Sequence, residues 1–534
     1  MKPFDSSGVF RSPGGGGGLR RLAVRGAGVT VLAQGAGFVT QMVATVVLAR
    51  LLMPSDFGVV TMVTTFSVLL VSCGQIGFPD AVVQRDEMDH FLASNLFWIN
   101  LGMGLILTVA FAAAGSLLAR FYGDPRVAHV AVGVSLTIFI TSTSVLHLAL
   151  LKRAMRFSAV SGNDIVARAV SVTVSVGLAW FGWGYWALVA GIIAQPLSMS
   201  IGAWILCRWV PSLPRRTDGT GSVVRFARNV FARWSIGYFS QNTDNLLVGW
   251  RFGPGSLGFY KKAYDLFVLP FSLLTVYPVA VSTLSRLNRD RVQYKRYFLG
   301  GLSILALLGM GMGADLTLVG KDLVRLMLGP RWDMAGQIFI FFGPGIGAML
   351  IYSTHGMLHL SLGTTARYFR WGIIEVTVTC LLFFLGLPWG PTGVALAWTA
   401  SYWLLTIPAF WYAGKPIELG VGSILAVIWK CLLASLLAGC ACAWVVRGFP
   451  SLAAAPGAVG ALIRIVTSSL LFVVLYVGTV IVLHGGCEPL YQLGRLVREM
   501  APWQKFSRPS LAARANSVAE TGVLLAPTRS GEAT

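Results

Sequence analysis

The sequence predicts an all-α integral membrane protein of about fourteen transmembrane helices: two parallel-related six-helix lobes around a central cleft, followed by two C-terminal helices. Three observations carry this expectation. Hydrophobic residues make up 55% of the 534 and charged residues only 12%, against roughly 25% charged in a soluble domain. Apolar runs of about 20 residues, long enough to cross a bilayer as helix, recur along the chain. Finally, Gln41, Pro54, Gly58, Val68 and Leu69 return as Gln241, Pro254, Gly258, Val268 and Leu269, which marks a duplicated unit.

Taken in order, the first six spans lie near residues 28–48, 57–79, 91–118, 128–150, 160–181 and 184–207. A second set lies near 230–250, 257–283, 297–319, 335–361, 368–388 and 392–412, and a final pair near 424–446 and 458–484. Pro54 and Pro254 open the turn of a helical hairpin in each copy. The third spans end in related loops, Phe121 to Arg126 and Leu328 to Trp332, and Gly182 with Ala187–Leu188 is echoed by Gly390 with Ala395–Leu396. Six is an even number, so the second copy enters from the same side as the first, and the pseudo-two-fold axis runs along the membrane normal. The expected divisions are 1–25, a flexible N-terminus; 26–212, the N-lobe; 213–416, the C-lobe; 417–486, spans 13 and 14; and 487–534, a C-terminal tail.

The net charge of +21 invites a nucleic-acid reading, but roughly 28 of the 42 Lys and Arg fall in alternate loops, the bias of cytoplasmic loops in a multi-pass protein. Arg20, Arg21 and Arg25 precede the first span. Arg208, Arg215, Arg216, Arg225 and Arg228 precede the seventh, and Arg286, Arg289, Arg291, Lys295 and Arg296 the ninth. Both termini are therefore expected in the cytoplasm, and no nucleic-acid partner. The first apolar run is long enough to span and no small-residue cleavage site follows it, so it reads as a helix rather than a cleaved signal. The seven cysteines form no CxxC pair and read as packing residues. The polar tail from about residue 503 reads as flexible.

Intramembrane polar groups are the candidate site. In span 7, Arg233, Gly237, Ser240, Gln241 and Asp244 fall on one helical face, and an ionisable group is costly against lipid, so this face is expected to look into the cleft. Span 8 opens with Lys261, Lys262 and Asp265, spaced for an internal ion pair. The repeat places Ala44, Met62 and Thr65 opposite Asp244, Lys262 and Asp265; the first lobe instead offers Thr30, Gln34, Gln41 and Thr45 along span 1. Charge is thus skewed to the second lobe. Asp164 and Arg168 are spaced to neutralise each other, and Glu375 has no evident partner nearby in sequence. His355 and His359 have metal-compatible spacing but no third ligand, so no metal site is expected. Glycine clusters lack the GxxxxGK[ST] pattern of a nucleotide loop, and no cofactor is expected. Lys152, Arg153, Arg156, Arg367 and Arg370 gather at the cytoplasmic mouth, where cations suit phosphate.

The segments Ala49 to Gly58, Gly74 to Pro79, Asp244 to Gly249, Leu257 to Tyr260 and Ala263–Tyr264 resemble those of Wzx-type polysaccharide flippases, members of the multidrug/oligosaccharidyl-lipid/polysaccharide exporter superfamily, which includes lipid II flippases and MATE transporters. The resemblance covers roughly residues 28–480. It implies a non-enzymatic transporter of the bacterial inner membrane that moves an undecaprenyl-diphosphate-linked oligosaccharide by alternating access, for exopolysaccharide, capsule or lipopolysaccharide synthesis, coupled to H+ or Na+. Membrane lipids, a polysaccharide polymerase and a chain-length regulator are the partners it suggests. The last helix pair resembles that of lipid II flippases, where it makes a groove for the lipid tail. The family has no fixed catalytic constellation, so the site assignments rest on the residues themselves. An ion-coupled multidrug or small-molecule exporter of the same fold is the alternative; a membrane glycosyltransferase or polymerase is a weaker one, because the far-side loops are short.

Overall fold

The computed structural model describes residues 3–5, 8–10, 16–75, 77–84, 88–215, 220–273, 277–449 and 457–500. It is helical throughout, with only isolated β-bridges outside the helices among the described residues. Residues 1–479 form one compact unit and 480–534 a second.

In the first unit, α1 (Gly16–Leu51) and α2 (Pro54–Gln75) make the first hairpin, and a short α3 (Phe78–Gln84) follows. Next come α4 (His90–Tyr122), α5 (Arg126–Ser142) with its continuation α6 (Val145–Arg153), α7 (Phe157–Trp180) and α8 (Tyr185–Cys207). The second lobe repeats the order. α9 (Thr220–Leu273) holds both helices of the second hairpin, broken at Gly253, whose φ of 77° is open to glycine. α10 (Tyr277–Leu287), α11 (Arg291–Leu328), α12 (Asp333–Ser353), α13 (His355–Ser361), α14 (Thr365–Gly386) and α15 (Gly390–Gly414) complete it. α16 (Val421–Arg447) and α17 (Gly457–His484) come after the repeat.

The duplication reaches the helix caps. Asp89 accepts from the Leu92 amide to start α4, and Asp290 accepts from the Val292 and Gln293 amides to start α11, which satisfies amides that the first turn leaves unpaired. α4 ends at Gly123 (φ 69°) and α11 at Gly329 (φ 99°), both in the left-handed region. Within the first lobe, α4 packs on α5, α7 on α8, α2 on α5 and α1 on α7; within the second, α11 packs on α12, and α15 on both α12 and α14. α16 lies along α11, and α17 is tied to α11 by Arg464–Asp322 (2.6 Å) and by the Ser469 hydroxyl donating to Asp315 (3.1 Å).

Ten helical segments among the described residues are long and apolar enough to cross a membrane; three of them, Arg126–Arg153, Pro330–Ser361 and Thr365–Ile417, each contain two of the named helices. α7 and α9 are not among them, because they carry charges the sequence flagged: Asp164 and Arg168 in one, Asp244, Lys261, Lys262 and Asp265 in the other. The expected count of fourteen is not reached on length and apolarity alone.

The N-terminal stretch, expected to be flexible, is partly built into the first lobe. Residues 3–5 and 8–10 pair across Phe4 and Phe10, and Val9 bridges to Asp89. Phe4 and Phe10 are buried with Phe78, Val82, Leu146, Leu150 and Trp209. This hairpin thus straps α3 and α6 from the basic-loop side, where the Arg153 guanidinium lies over the Phe10 ring (4.9 Å). The tail beyond residue 503 lies outside the described residues.

The second unit contains the end of α17 and α18 (Glu488–Met500), in which the Gln492 amide donates to the Glu488 carboxylate (3.2 Å).

Candidate functional site

The duplicated hairpins meet at the face opposite the basic loops. A Cβ placed on Gly58 would lie 1.7 Å from the Pro254 carbonyl oxygen, and one on Gly258 would lie 1.9 Å from that of Pro54. Each glycine is the notch that receives the other copy's proline carbonyl, so the residues that revealed the repeat form its reciprocal seam. Around the seam, Arg50 donates to the carbonyls of Leu326 (2.8 Å) and Met327 (3.4 Å). The Trp332 indole donates to the Ala49 carbonyl (2.8 Å) and sets its ring against Phe57 and Phe259. The Lys262 ammonium lies 4.4 Å from the Phe57 ring centroid, and the Tyr238 hydroxyl donates to the Thr65 carbonyl (2.7 Å). Sequence reading missed Arg50 and Trp332; their signal was a cation and an indole at the helix ends of repeated turns.

Behind the seam, aromatic rings fill the second lobe around Asp244. Asp244 is fully buried, and the stripe expected to face the cleft divides there: Gln241 is exposed while Asp244 turns inward. Its Oδ2 accepts from the Tyr260 hydroxyl (2.8 Å) and the Trp398 indole (2.9 Å), and its Oδ1 from the Asn245 amide (2.7 Å). Tyr264, Phe267, Phe342 and Tyr402 pack around this group, with Phe267 stacked on Phe342 at 4.7 Å. One turn along, Lys261 (2.9 Å) and Lys262 (3.6 Å) both reach Asp265, the internal pairing that the spacing allowed. Arg233 lies in α9, and its side chain is outside the described ones, as is that of Ser240.

The first lobe holds a partly open cavity of about 550 Å³ between α2, α5 with α6, α7 and α8. Thr64, Ser67, Ser72 and Gln75 line it from α2, the half of that helix remote from the Pro54 seam. Thr137, Thr141, Ser144 and Lys152 line it from α5 and α6, Asp164 from α7, and Gln195 with Pro196 from α8. Asp164 is paired with Arg168 at 2.9 Å. Gln34 and Gln41 are exposed on α1 and are not among the lining residues.

Of the basic-face cations, Lys152, Arg156 and Arg370 are exposed. Arg153 donates to the Val82 carbonyl (2.6 Å), and Arg367 donates to the Tyr412 carbonyl (2.6 Å) while stacking on its ring, so both hold helix ends together. Glu375 faces the Tyr352 hydroxyl. His355 meets the Tyr352 carbonyl and His359 the Thr364 hydroxyl, and no cluster of three metal-ligating side chains occurs among the described residues. A second, apolar groove of about 300 Å³ runs between the second lobe and α16, lined by Met310, Leu318, Trp403, Leu436 and Ala443 among others.

The sequence model of a family described as polysaccharide biosynthesis protein matches residues 47–336, more than half of the chain. The chain is 21% identical over 361 residues to the succinoglycan biosynthesis transport protein ExoT of Rhizobium meliloti (strain 1021), covering 67% of this chain and 73% of that one. It is 24% identical over 327 residues to the lipopolysaccharide biosynthesis protein WzxC of Escherichia coli (strain K12), covering 59% and 65%. Its fold is similar to that of the lipid II flippase MurJ in an inward closed conformation, with a TM-score of 0.67, 14% identity, and coverage of 84% of this chain and 97% of that one.

Proposed function

Because the chain belongs to the polysaccharide biosynthesis protein family, we propose that it is a flippase carrying an undecaprenyl-diphosphate-linked oligosaccharide across the bacterial inner membrane by alternating access, with both termini cytoplasmic. It serves exopolysaccharide, capsule or lipopolysaccharide assembly. One observation carries this reading: the lobes are sealed by the reciprocal Pro–Gly seam at the far face, while the polar cavity lies on the basic-face side of that seam. A carrier between cycles, loaded from the basic face, requires that asymmetry.

In this reading the saccharide enters the polar interior while the diphosphate stays with the exposed cations Lys152, Arg156 and Arg370, together with Arg233, whose charge matches phosphate oxygens. The prenyl tail follows the apolar groove beside α16, where it remains in an environment as apolar as lipid. Release at the far face requires parting the Gly58–Pro254 and Gly258–Pro54 contacts and the Arg50 and Trp332 bonds. Asp244 is the group whose protonation or ion occupancy, H+ or Na+, changes with that motion, because it is a carboxylate buried on the helix that forms the seam. Asp265, held by two lysines, is structural in this reading.

Reconstitution tests the activity. Proteoliposomes bearing the protein are expected to expose undecaprenyl-diphosphate-linked oligosaccharide on the opposite leaflet with time, faster under an imposed H+ or Na+ gradient. Folded, inserted protein that leaves the lipid where it was loaded excludes the reading.

A further inference from the structure

Resting on the flippase reading, we propose that the saccharide is read by the first lobe alone: its cavity is a binding site for neutral sugar hydroxyls, with Ser67, Gln75, Thr141 and Gln195 as the selecting side chains.

The argument starts from which polar groups are already engaged. Thr64, Ser72, Thr137 and Ser144 donate back to the carbonyls of Thr61, Val68, Val134 and Thr141, each within its own helix or turn. A hydroxyl bonded in this way has its donor occupied. Among the described residues, the side chains of Ser67, Gln75, Thr141 and Gln195 make no hydrogen bond, though all four line the same space and Ser67 is 2% exposed. Polar groups with no protein partner that face this space are free to bond to what enters it. Pro196 adds a fifth group: it has no N–H, so the Ile192 carbonyl one turn earlier, also in the lining, lacks its helical donor.

The chemistry of this set is specific. Hydroxyls and carboxamides each offer a donor and an acceptor, which matches the paired donor and acceptor of every sugar hydroxyl. Asp164, the one carboxylate among the described lining residues, is neutralised by Arg168, so the described wall shows no uncompensated negative charge to attract a cationic drug. Lys152 is the sole lysine or arginine among the described lining residues, on the last turn of α6, where it can meet the diphosphate while the sugar lies deeper. At about 550 Å³ the space is within the roughly 300–1,000 Å³ of small-molecule sites. In the second lobe, Phe267, Phe342, Trp398 and Tyr402 occupy the interior around Asp244. Recognition and ion response are thereby assigned to different lobes.

The test uses full-length protein in nanodiscs and two probes: undecaprenyl diphosphate, and the same lipid bearing a neutral oligosaccharide. In a chain whose seven native cysteines are replaced, Ser72→Cys is expected to be protected from maleimide by the glycosylated lipid and not by the bare one. Gln75→Ala/Gln195→Ala is expected to weaken binding of the glycosylated lipid at least tenfold and leave the bare lipid unchanged, with an unaltered melting temperature. Ser67→Ala/Thr141→Ala, a smaller change in volume, is expected to act in the same direction. Equal protection by both probes, or unchanged discrimination in both double variants, overturns the proposal. Protein that flips the lipid while Ser72→Cys stays unprotected keeps the flippase reading and refutes this one. Sugar-specific protection without flipping does the reverse.

Discussion

In the first lobe the helices behind the Pro54 turn surround a hollow whose lining is mostly uncharged; in the second, the helices behind the Pro254 turn surround a carboxylate wrapped in aromatic rings. The joint between the lobes is nevertheless symmetric, with each glycine accepting the other copy's proline carbonyl. Duplication therefore preserved the surfaces that must meet and released the interiors that need not match. The difference teaches where to separate motion from recognition: a change at the seam acts on both lobes, and a change in an interior on one.

The largest effect is expected at the seam. A methyl at Gly58 or Gly258 cannot be accommodated against backbone atoms without moving the lobes apart, and overpacking of this kind costs about 1–3 kcal/mol. Gly58→Ala and Gly258→Ala are each expected to reduce export at least tenfold and to raise thiol labelling from the far face. The two variants must behave alike, so a severe Gly58→Ala beside a silent Gly258→Ala breaks the symmetry that the comparison rests on.

Next in size is the second-lobe interior. Asp244→Ala leaves the Tyr260 hydroxyl and Trp398 indole buried without an acceptor, at about 1–3 kcal/mol each. A marked fall in melting temperature in detergent is expected, whereas at the matching first-lobe position Ala44→Ser is expected to be mild. Unchanged melting of Asp244→Ala would show that the second lobe is not held by this network.

A smaller and local effect is expected from the strap. Phe4→Ala/Phe10→Ala removes two buried rings from beneath α3 and α6, and hydrogen exchange is expected to rise at residues 78–84 and 145–153 but not in α13. If exchange rises equally in α13, the strap acts on the whole molecule and not on the first lobe.

How much of this was legible in the sequence follows from the range of each interaction. The hairpins, their proline turns and the Lys261–Asp265 pair are local, and spacing alone reveals them. The mismatches Ala44/Asp244 and Met62/Lys262 marked where the lobes differ, but not which one is hollow. Hollowness depends on side-chain volume summed across four helices, and the partner that turns Asp244 inward, Trp398, lies in α15. A helical wheel gives the face of Asp244 but not what that face meets. Asp89 and Asp290, by contrast, are local caps, legible at matching positions ahead of the third spans.

The smallest predicted effect compares the two far-face loops that end the third spans. Asp124 accepts from Arg126 through both oxygens, at 2.8 Å and 3.1 Å, and also from the Arg126 amide at 3.0 Å. These side-chain bonds, offset in part by burial, hold its carboxyl below the usual carboxylate range. A lowered folded-state pKa means that the stabilisation is fully present above the unfolded value, about 3.9, and is lost as pH falls through the folded one. Thermal melting of wild type and Asp124→Asn is therefore expected to differ slightly near neutral pH and to converge in acid. In the second lobe, Arg325 and Asp333 stand 3.8 Å apart with about 46% and 39% of their side chains exposed, a geometry worth little in water. Asp333→Asn is expected to shift melting little at neutral pH. An equal response from the two variants would mean that these loops, like the seam, had kept a common role that their different bonds conceal.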